Sequence, residues 1–396
     1  MPKYTQVLIT SILIIFASIG LGRFSYGMIL PDLQNSLGIT TTQAGFIGTA
    51  NFIGYLIAIF FVSSFYKKYS ANKLIGVALF AQALSMFMMT LFSNYLLISF
   101  FYTFSGFAAA ISNVSIMIYI AHIIPSHIKG KALGIIVTGI GFSIIFSGFS
   151  APLIEGFVSH QAWETSWILF AALVFCIALY VKLTLPNDTH KQDHKTKPKT
   201  SKELFQSLKF YKIALLYLLF GITYVVYVTF FVTASIEKYA ISTHEAGYFW
   251  SVLGIMSLLS GPLFGYLSDK IGAYKTFVII YICLSISYLL LALELNSSVL
   301  WVSAVLFGLS AWAVPSLITV LSTEEFSIEN TAKVFSLATL VFSAGQVIGP
   351  LGAGYLYDIY HSFSNVFVLC TILTIIAAII SLIFASRLHK SSVRQV

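Results

Sequence analysis

Charged residues are scarce in this chain. Only 9% of its 396 residues are Asp, Glu, Lys or Arg, whereas 58% are hydrophobic. Soluble domains carry about 25% charged residues, so this composition excludes a soluble enzyme or a soluble binding domain. We therefore expect lipid to be the solvent for most of the protein surface.

Cysteine is also rare, and the short motifs of common catalytic sites are missing. The three cysteines, Cys176, Cys283 and Cys370, are far apart and lie in apolar runs, which favours packing over a disulfide or metal framework. The sequence contains no HExxH, no GxSxG and no GxxxxGKS/T. We therefore expect no enzyme activity, no cofactor, no metal site and no ATP site. A membrane-embedded enzyme is kept only as a remote alternative.

Long apolar runs recur along the whole chain. A run of about 18 or more apolar residues predicts a transmembrane helix. Such runs lie near residues 7–30, 43–65, 74–93, 95–122, 132–157, 165–185, 211–237, 245–267, 276–295, 299–322, 333–357 and 365–387. The predicted fold class is an all-α membrane protein with twelve transmembrane helices.

The basic residues lie between alternate pairs of these runs. With a cytoplasmic N-terminus, 20 of the 22 Lys and Arg residues fall on the cytoplasmic side, as the positive-inside rule requires. Lys238 falls on the outer side, and Arg23 lies within a run. The formal charge of +8 therefore indicates orientation in a bacterial cytoplasmic (inner) membrane and no nucleic-acid partner. Both termini are expected to be cytoplasmic.

A long polar stretch, from about residue 186 to residue 210, divides the runs six and six. The two halves match at an offset of 202 residues, because ITTTQAGF begins at Ile39 and ISTHEAGY at Ile241. Three lysine pairs obey the same offset: Lys68 and Lys270, Lys73 and Lys275, and Lys131 and Lys333. A channel or a receptor does not require such a repeat joined by a basic linker.

Two six-span halves repeated in parallel resemble the major facilitator superfamily, whose substrate site lies near the membrane midplane between the halves. The resemblance implies an N-terminal six-helix half over residues 1–185, a cytoplasmic linker over 186–210 and a C-terminal six-helix half over 211–396. The first-span phrase GLGRFSYGMILPDL, from Gly20, is most similar to the YbfB-like branch of this superfamily.

Two further segments resemble superfamily motifs. GYLSDKIGAYK, from Gly265 to Lys275, resembles the loop signature, with Gly265 and Gly272 for a turn and a helix contact and Asp269 for a conformational latch. The first half has FYKKYSANK there, with Lys67 in place of Asp269.

GQVIGPLGAG resembles a helix-bending element that the superfamily's antiporters carry in the fifth span, where this chain has SGFSAPLIEG. The residues expected to bend or pack the helices are Pro152, Gly345, Gly349 and Pro350. Simple small-residue packing explains both copies equally well. The fourth span has Tyr102 where relatives carry an arginine four residues before a glycine, here Gly106.

Arg23 is the basic residue that lies inside a span, about 10 Å from the outer end of its run by the helical rise. An intramembrane arginine costs at least about 2.5 kcal/mol on insertion scales, so it usually faces a water-filled cavity. Helical spacing predicts that Gly20, Tyr26 and Gly27 share its face and leave room beside it. A fixed guanidinium suits a carboxylate or phosphate, and organic phosphate transporters resemble this chain in having an arginine eight residues before the first-span proline, Pro31.

Other polar or amphipathic residues are expected at the depth of a central cavity. The predicted substrate-binding set is Arg23, Tyr26, Asn51, Asn113, Tyr224, Tyr227, Trp312 and Gln346. For Arg23 the alternative is an internal pairing with a carboxylate or with backbone carbonyls that locks the halves together, and each of the others is also explained by an interhelical hydrogen bond. For proton coupling the candidates are Glu155 and Asp32, and solvated helix-end charges are the alternative interpretation.

The sequence thus predicts a monomeric transporter that moves a small anionic or zwitterionic metabolite by alternating access. The resemblance implies proton coupling, as in an antiporter, and export is favoured over uptake. The main alternative is a multidrug efflux proton antiporter, whose cationic substrates would need a deep carboxylate that is not evident in the sequence.

Overall fold

A computed structural model describes residues 4–158, 161–186, 207–293, 295–326 and 328–393. In these ranges, twelve helices are long and apolar enough to cross a membrane, as predicted. The helices of the first half are α1 Thr5–Leu37, α2 Thr41–Lys68, α3 Ala71–Met89, α4 Tyr95–Ile123, α5 Ser126–Phe157 and α6 Ala162–Thr184. Those of the second half are α7 Leu208–Tyr239, α8 Thr243–Ile271, α9 Ala273–Ala292, α10 Val299–Glu325, α11 Ile328–Tyr360 and α12 Phe363–Val393.

The chain crosses the bundle with each helix, so alternate loops lie at opposite ends. We call the end at which α1 begins the terminal end, and the end at which it finishes at Leu37 the distal end. The predicted linker, residues 186–210, lies mostly outside the described residues, and α7 already begins at Leu208. Lipid-facing positions on the outside of the bundle carry large apolar side chains, such as Phe60, Val77 and Leu382.

The two segments that match at an offset of 202 residues both form the start of a helix, and both starts are capped in the same way. Thr40 caps α2, because its Oγ1 atom accepts a hydrogen bond from the Gln43 backbone amide at 3.2 Å while the Gln43 side chain accepts one from Thr40. Ser242 and Glu245 form the same reciprocal pair at the start of α8. Each pair satisfies free amide groups of the first helical turn. The two halves therefore begin their second helices with the same local device.

The two halves touch closely at the distal end. The Asp358 carboxylate on α11 accepts hydrogen bonds from the Thr41 and Thr42 amides of α2, at 3.1 and 2.9 Å. Gly45 of α2 packs directly on the Pro350 carbonyl of α11. At the other contact between the halves, Thr243 of α8 donates to a Glu155 oxygen of α5 at 3.2 Å, and Gly247 packs on the Gly148 carbonyl. The distal end is therefore closed.

The terminal end is open between the halves. At Gly130 and Gly134 on α5, and at Gly261 and Gly265 on α8, no heavy atom of the described residues lies within 4 Å of the position that a β-carbon would occupy. A cavity of about 590 Å³ lies there between the halves, with Met117 of α4, α5, α8 and Trp312 of α10 in its wall. Lys131 lines this cavity and is exposed. The structure is therefore a conformation closed at the distal end and open at the terminal end.

Candidate functional site

The middle of α1, which includes the buried residue Arg23, departs from α-helical geometry. Residues Phe16–Phe24 form a π-helical segment, and the Ser25 amide donates to the Gly20 carbonyl at 3.3 Å. Because α1 continues to Leu37, Arg23 lies 14 residues before the distal end, or about 21 Å along the helix. Arg23 is therefore farther from the distal end of its helix than the distance of about 10 Å predicted from the apolar run. Segments of π-helix frequently mark functional sites.

Three side chains from neighbouring helices bind carbonyl groups of this widened segment. Gln82 of α3 donates to the Ser18 carbonyl at 2.8 Å, and Asn51 of α2 donates to the Gly22 carbonyl at 3.3 Å. Tyr102 of α4 donates its hydroxyl to the Arg23 carbonyl at 3.3 Å. A buried carbonyl without a partner is costly in lipid, so these bonds hold the segment in place.

The guanidinium of Arg23 lies in an aromatic and amide environment on α2. Its Nε atom donates to Asn51 Oδ1 at 3.0 Å. Its carbon Cζ lies 4.5 Å from the Phe52 ring centroid and 4.3 Å from the Tyr55 ring centroid. Cation–π contacts of this kind stabilise a desolvated cation by about 2 kcal/mol. They fix the position of the guanidinium but supply no counter-charge.

The positive charge of Arg23 is not neutralised within the part of the chain that the structure describes. Arg23 is 8% exposed, and its Nη2 atom is buried with no hydrogen-bond partner among the described residues. Among the described residues, the ion pair found is that of Lys209 with Glu325, at 3.3 Å on another part of the molecule. A buried donor on a charged group that lacks a partner costs more free energy than a buried donor with one.

The site lies at the inner end of the open cavity. Asn113 is one helical turn from Met117 in the cavity wall, and it donates to the Tyr55 hydroxyl at 2.8 Å. Both Tyr55 and Asn113 are partly exposed. Phe24, the neighbour of Arg23, contacts the cavity-lining Trp312 with ring centroids 5.9 Å apart. Trp312 and the turn of α4 that holds Asn113 therefore connect the cavity with the surroundings of Arg23.

Of the four predicted residues in the second half, Trp312, Tyr224 and Gln346 lie in this region and Tyr227 does not. Tyr224 packs its ring near Phe24, at 6.4 Å, and accepts a hydrogen bond from the Gln346 amide at 3.5 Å. Tyr227 instead lies wholly inside the second half, where its hydroxyl bonds to Ser303 at 2.9 Å and its ring stacks on Phe307 at 3.8 Å. The structure thus places Tyr227 in the core of the second half, away from the cavity between the halves.

The neighbours predicted on the face of Arg23 serve helix packing. A β-carbon on Gly20 would overlap Ser143, and one on Gly27 would overlap the Val228 carbonyl. The Tyr26 hydroxyl donates to the Ala44 carbonyl at 2.7 Å. The expectation that the glycines leave room beside Arg23 was therefore wrong, because α5 and α7 pack into the space beside them.

The two carboxylates predicted for proton coupling lie at the distal end. Asp32 accepts a hydrogen bond from the Trp163 backbone amide at 2.6 Å, so it caps the start of α6. Glu155 is exposed and accepts its hydrogen bond from Thr243 across the two halves. Neither carboxylate is among the groups that contact the Arg23 side chain.

The predicted latch segment surrounds the turn between α8 and α9. Gly272 has φ +86°, a conformation that glycine adopts without strain. Asp269 is exposed and forms no ion pair with another described residue, and Gly265 faces open space rather than a neighbouring helix. In this open conformation the segment therefore makes none of the contacts expected of a closed latch.

The predicted helix-bend residues pack closely against neighbouring helices. On α11, β-carbons at Gly345 and Gly349 would lie 2.8 Å from the Leu218 carbonyl and 2.6 Å from the Ile222 carbonyl of α7. Pro350 meets Gly45 through its carbonyl, and the Pro152 ring of α5 lies 2.8 Å from the β-carbon position of Gly247. These contacts match the small-residue packing interpretation.

Phe52, Tyr55 and Tyr102 belong to the site but were not predicted as binding residues. Tyr55 follows the predicted Asn51 by one helical turn, so helical spacing from Asn51 could have identified it. Phe52 and Tyr102 carry no such signal, since one is an ordinary apolar residue and the other stands where relatives have an arginine. The contact of Asp358 with α2 was also missed, because no local pattern links residues so far apart in sequence.

Comparison with known proteins identifies the wider group to which this geometry belongs. Residues 15–382 match the model of a family described as "Uncharacterised MFS-type transporter YbfB". The chain is 24% identical over 383 residues to the uncharacterized MFS-type transporter YceJ of Bacillus subtilis strain 168, covering 95% of each chain. It is 26% identical over 257 residues to the multi-drug resistance efflux pump PmrA of Streptococcus pneumoniae strain TIGR4, covering 62% of this chain and 61% of that one.

A solved structure shares the same arrangement of helices. The nucleoside transporter NupG superposes with a TM-score of 0.78, covering 96% of this chain and 98% of that one. The two sequences are 16% identical, so this likeness concerns the fold alone.

Proposed function

The chain belongs to the YbfB-type family of major facilitator transporters, and on that premise we propose that it carries a small anionic or zwitterionic organic solute that binds at Arg23. The protein is a multi-pass transporter of the bacterial inner membrane, and not an enzyme. In the proposed cycle, the two six-helix halves rock about the site and expose it to one end of the bundle at a time.

The unpartnered Nη2 atom of Arg23 carries this proposal. A buried guanidinium normally has its donors satisfied, and a carboxylate or phosphate can accept two of its N–H groups at once. The Nε atom is already bound to Asn51, so the free donors lie at the outer edge of the guanidinium. An anion arriving there would supply both the missing hydrogen bond and the missing counter-charge.

Aromatic side chains around Arg23 define the rest of the proposed site. Phe24, Tyr224 and Trp312 form a connected set of ring contacts between the halves, and Tyr55 and Asn113 offer polar groups on the opposite wall. Such a site combines an apolar lining with a few fixed polar groups, as binding pockets for small molecules do. The solute we expect is therefore an organic anion with an apolar body, rather than a small inorganic ion.

We further propose the orientation, coupling and direction of transport. The terminal end carries nearly all of the lysine and arginine residues, so the positive-inside rule makes it cytoplasmic. The cavity of this conformation would then face the cytoplasm. Coupling to protons with export of the solute is our proposal, and the similarity to PmrA, named as an efflux pump, supports the direction.

Multidrug efflux is the second candidate function. The aromatic lining and the similarity to PmrA favour it. Cationic drugs, however, would require a buried carboxylate in the cavity, and within the described residues the charged groups identified at the cavity and the Arg23 site are both cationic, Lys131 and Arg23. The two candidates therefore predict opposite charges for the ligand.

A ligand screen by thermal unfolding tests the proposed function. We would purify the full chain and measure the shift in melting temperature with carboxylates, organic phosphates, zwitterions and cationic drugs, in the native protein and in Arg23→Gln. A ligand at 100 times its Kd adds about 2.7 kcal/mol to the apparent stability. Lys131→Gln is the matched control, since it removes a cation that lines the same cavity near its mouth.

We expect an organic anion to stabilise the native protein and Lys131→Gln but not Arg23→Gln. Stabilisation by cationic drugs that is equal in the native protein and in Arg23→Gln would contradict the proposal and favour multidrug efflux instead.

A further inference from the structure

A groove of about 600 Å³ lies on the membrane-facing side of the first half, apart from the cavity between the halves. Its walls come from α2, α3 and α4 and are almost entirely apolar. Val77 and Phe104 in these walls are 61% and 50% exposed, so the groove opens to lipid. Lys73 lies in the lining at the terminal end of the groove, and Ser85 lies at the other end.

Small residues on α3 create this groove. Ala78 and Ala81 line it, and the repeat places Ile280 and Cys283 at the equivalent positions of α9. At these two positions the wall of the groove is therefore formed by small side chains that the repeat does not place in the second half.

Lysines without a carboxylate partner gather where the groove reaches the terminal end. The ammonium groups of Lys68 and Lys73 lie 5.5 and 5.7 Å from the centroid of the Tyr69 ring, which lines the groove. Neither lysine forms an ion pair with another described residue. The equivalent turn of the second half carries Asp269, whereas the first half has Lys67 there. The first-half turn is therefore purely cationic.

We propose that this groove binds one anionic phospholipid, with an acyl chain along α3 and the phosphate at Lys68 and Lys73. From Lys73 to Ser85 the groove runs 12 residues, or about 18 Å, which matches one leaflet of a hydrocarbon core about 30 Å thick. Basic pockets between transmembrane helices select anionic headgroups in this way. A zwitterionic lipid can have the same acyl chains, but it has no net negative charge to match Lys68 and Lys73.

Native mass spectrometry of the full chain in detergent would test the proposal. The probes are dioleoyl phosphatidylglycerol and dioleoyl phosphatidylcholine, which differ in headgroup charge and share their acyl chains. The charge variant is Lys68→Gln with Lys73→Gln. Its matched control is Lys270→Gln with Lys275→Gln, the repeat-equivalent pair beside Asp269. Ala81→Phe fills the groove from an exposed position and leaves the lysines in place.

We expect one phosphatidylglycerol molecule to be retained in preference to phosphatidylcholine. Each lysine near the membrane surface contributes about fivefold to the affinity for an anionic lipid, so the first-half pair should weaken binding about 25-fold. Ala81→Phe should abolish the retained molecule, and the second-half pair should leave it unchanged. Equal retention of both lipids, an equal loss in the second-half pair, or full retention in Ala81→Phe would each overturn the proposal.

Discussion

Replacing Asp358 by alanine should open the distal end of the protein. The Asp358 carboxylate on α11 binds the first two amide groups of α2, across the boundary between the halves. The helix itself would remain capped, because Thr40 and Gln43 form their own reciprocal pair at its start. The substitution therefore removes a bond between the halves without removing the local signal that begins α2.

The size of the effect follows from the geometry. Loss of a side-chain cap costs about 1 kcal/mol, and a carboxylate at a helix N-terminus adds about 0.3–1 kcal/mol through the helix dipole. When the distal end is open, water would bind the two amide groups in place of the carboxylate. Nearly all of this energy therefore stabilises the distal-closed conformation relative to the distal-open one. A change of about 1–2 kcal/mol shifts their ratio by roughly 5- to 30-fold toward the distal-open form.

Distances between spin labels on the two halves would measure this shift. Asn35 on α1 and His244 on α8 are exposed at the distal end and can each be replaced by a labelled cysteine, after Cys176, Cys283 and Cys370 are changed to serine. Asp32→Ala is the matched control, because Asp32 caps α6 within the first half. The reasoning is refuted if Asp358→Ala leaves the distance distribution unchanged, or if Asp32→Ala lengthens it equally.

Two further predictions concern closure and coupling. Gly45→Ala should destabilise the distal-closed form by about 1–3 kcal/mol, because its β-carbon would overlap the Pro350 carbonyl. Gly130→Ala, at an open position in a helix, should leave stability unchanged or raise it by up to about 1 kcal/mol, and equally lowered melting temperatures in the two variants would refute the packing argument. In proteoliposomes, an imposed pH gradient should drive accumulation of the stabilising solute. Accumulation that is unaffected when an ionophore collapses the gradient would reject proton coupling.

The fold could be predicted from the sequence because long apolar runs and an internal repeat are strong signals that can be found without knowing any long-range contact. Apolar runs alone located the twelve helices, since the bilayer fixes their length. The match of ITTTQAGF with ISTHEAGY located the two halves, and the paired caps at Thr40 and Ser242 explain why those phrases repeat.

The site could be predicted only in part. Arg23 and Asn51 were identified because a charge or an amide in an apolar run is conspicuous, and the structure joins them through a hydrogen bond of 3.0 Å. The offset of the repeat gives the depth of Tyr227 but not the direction in which its ring points, and the structure directs it into the second half. The π-helical segment around Arg23 has no pattern in the sequence, because side chains of three other helices stabilise it.

The central claim is tested most directly by two measurements on Arg23→Gln. Calorimetry gives its affinity for the stabilising anion, and proteoliposomes give the rate at which it transports that anion. Hydrogen bonds to a charged group contribute about 1.5–3 kcal/mol, so we expect the affinity to fall by about 10- to 100-fold and transport to be lost. Arg23→Lys keeps the charge but loses the planar guanidinium, so its affinity should lie between those of the native protein and Arg23→Gln. Full affinity and full transport in Arg23→Gln would contradict the assignment of Arg23 as the residue that recognises the solute.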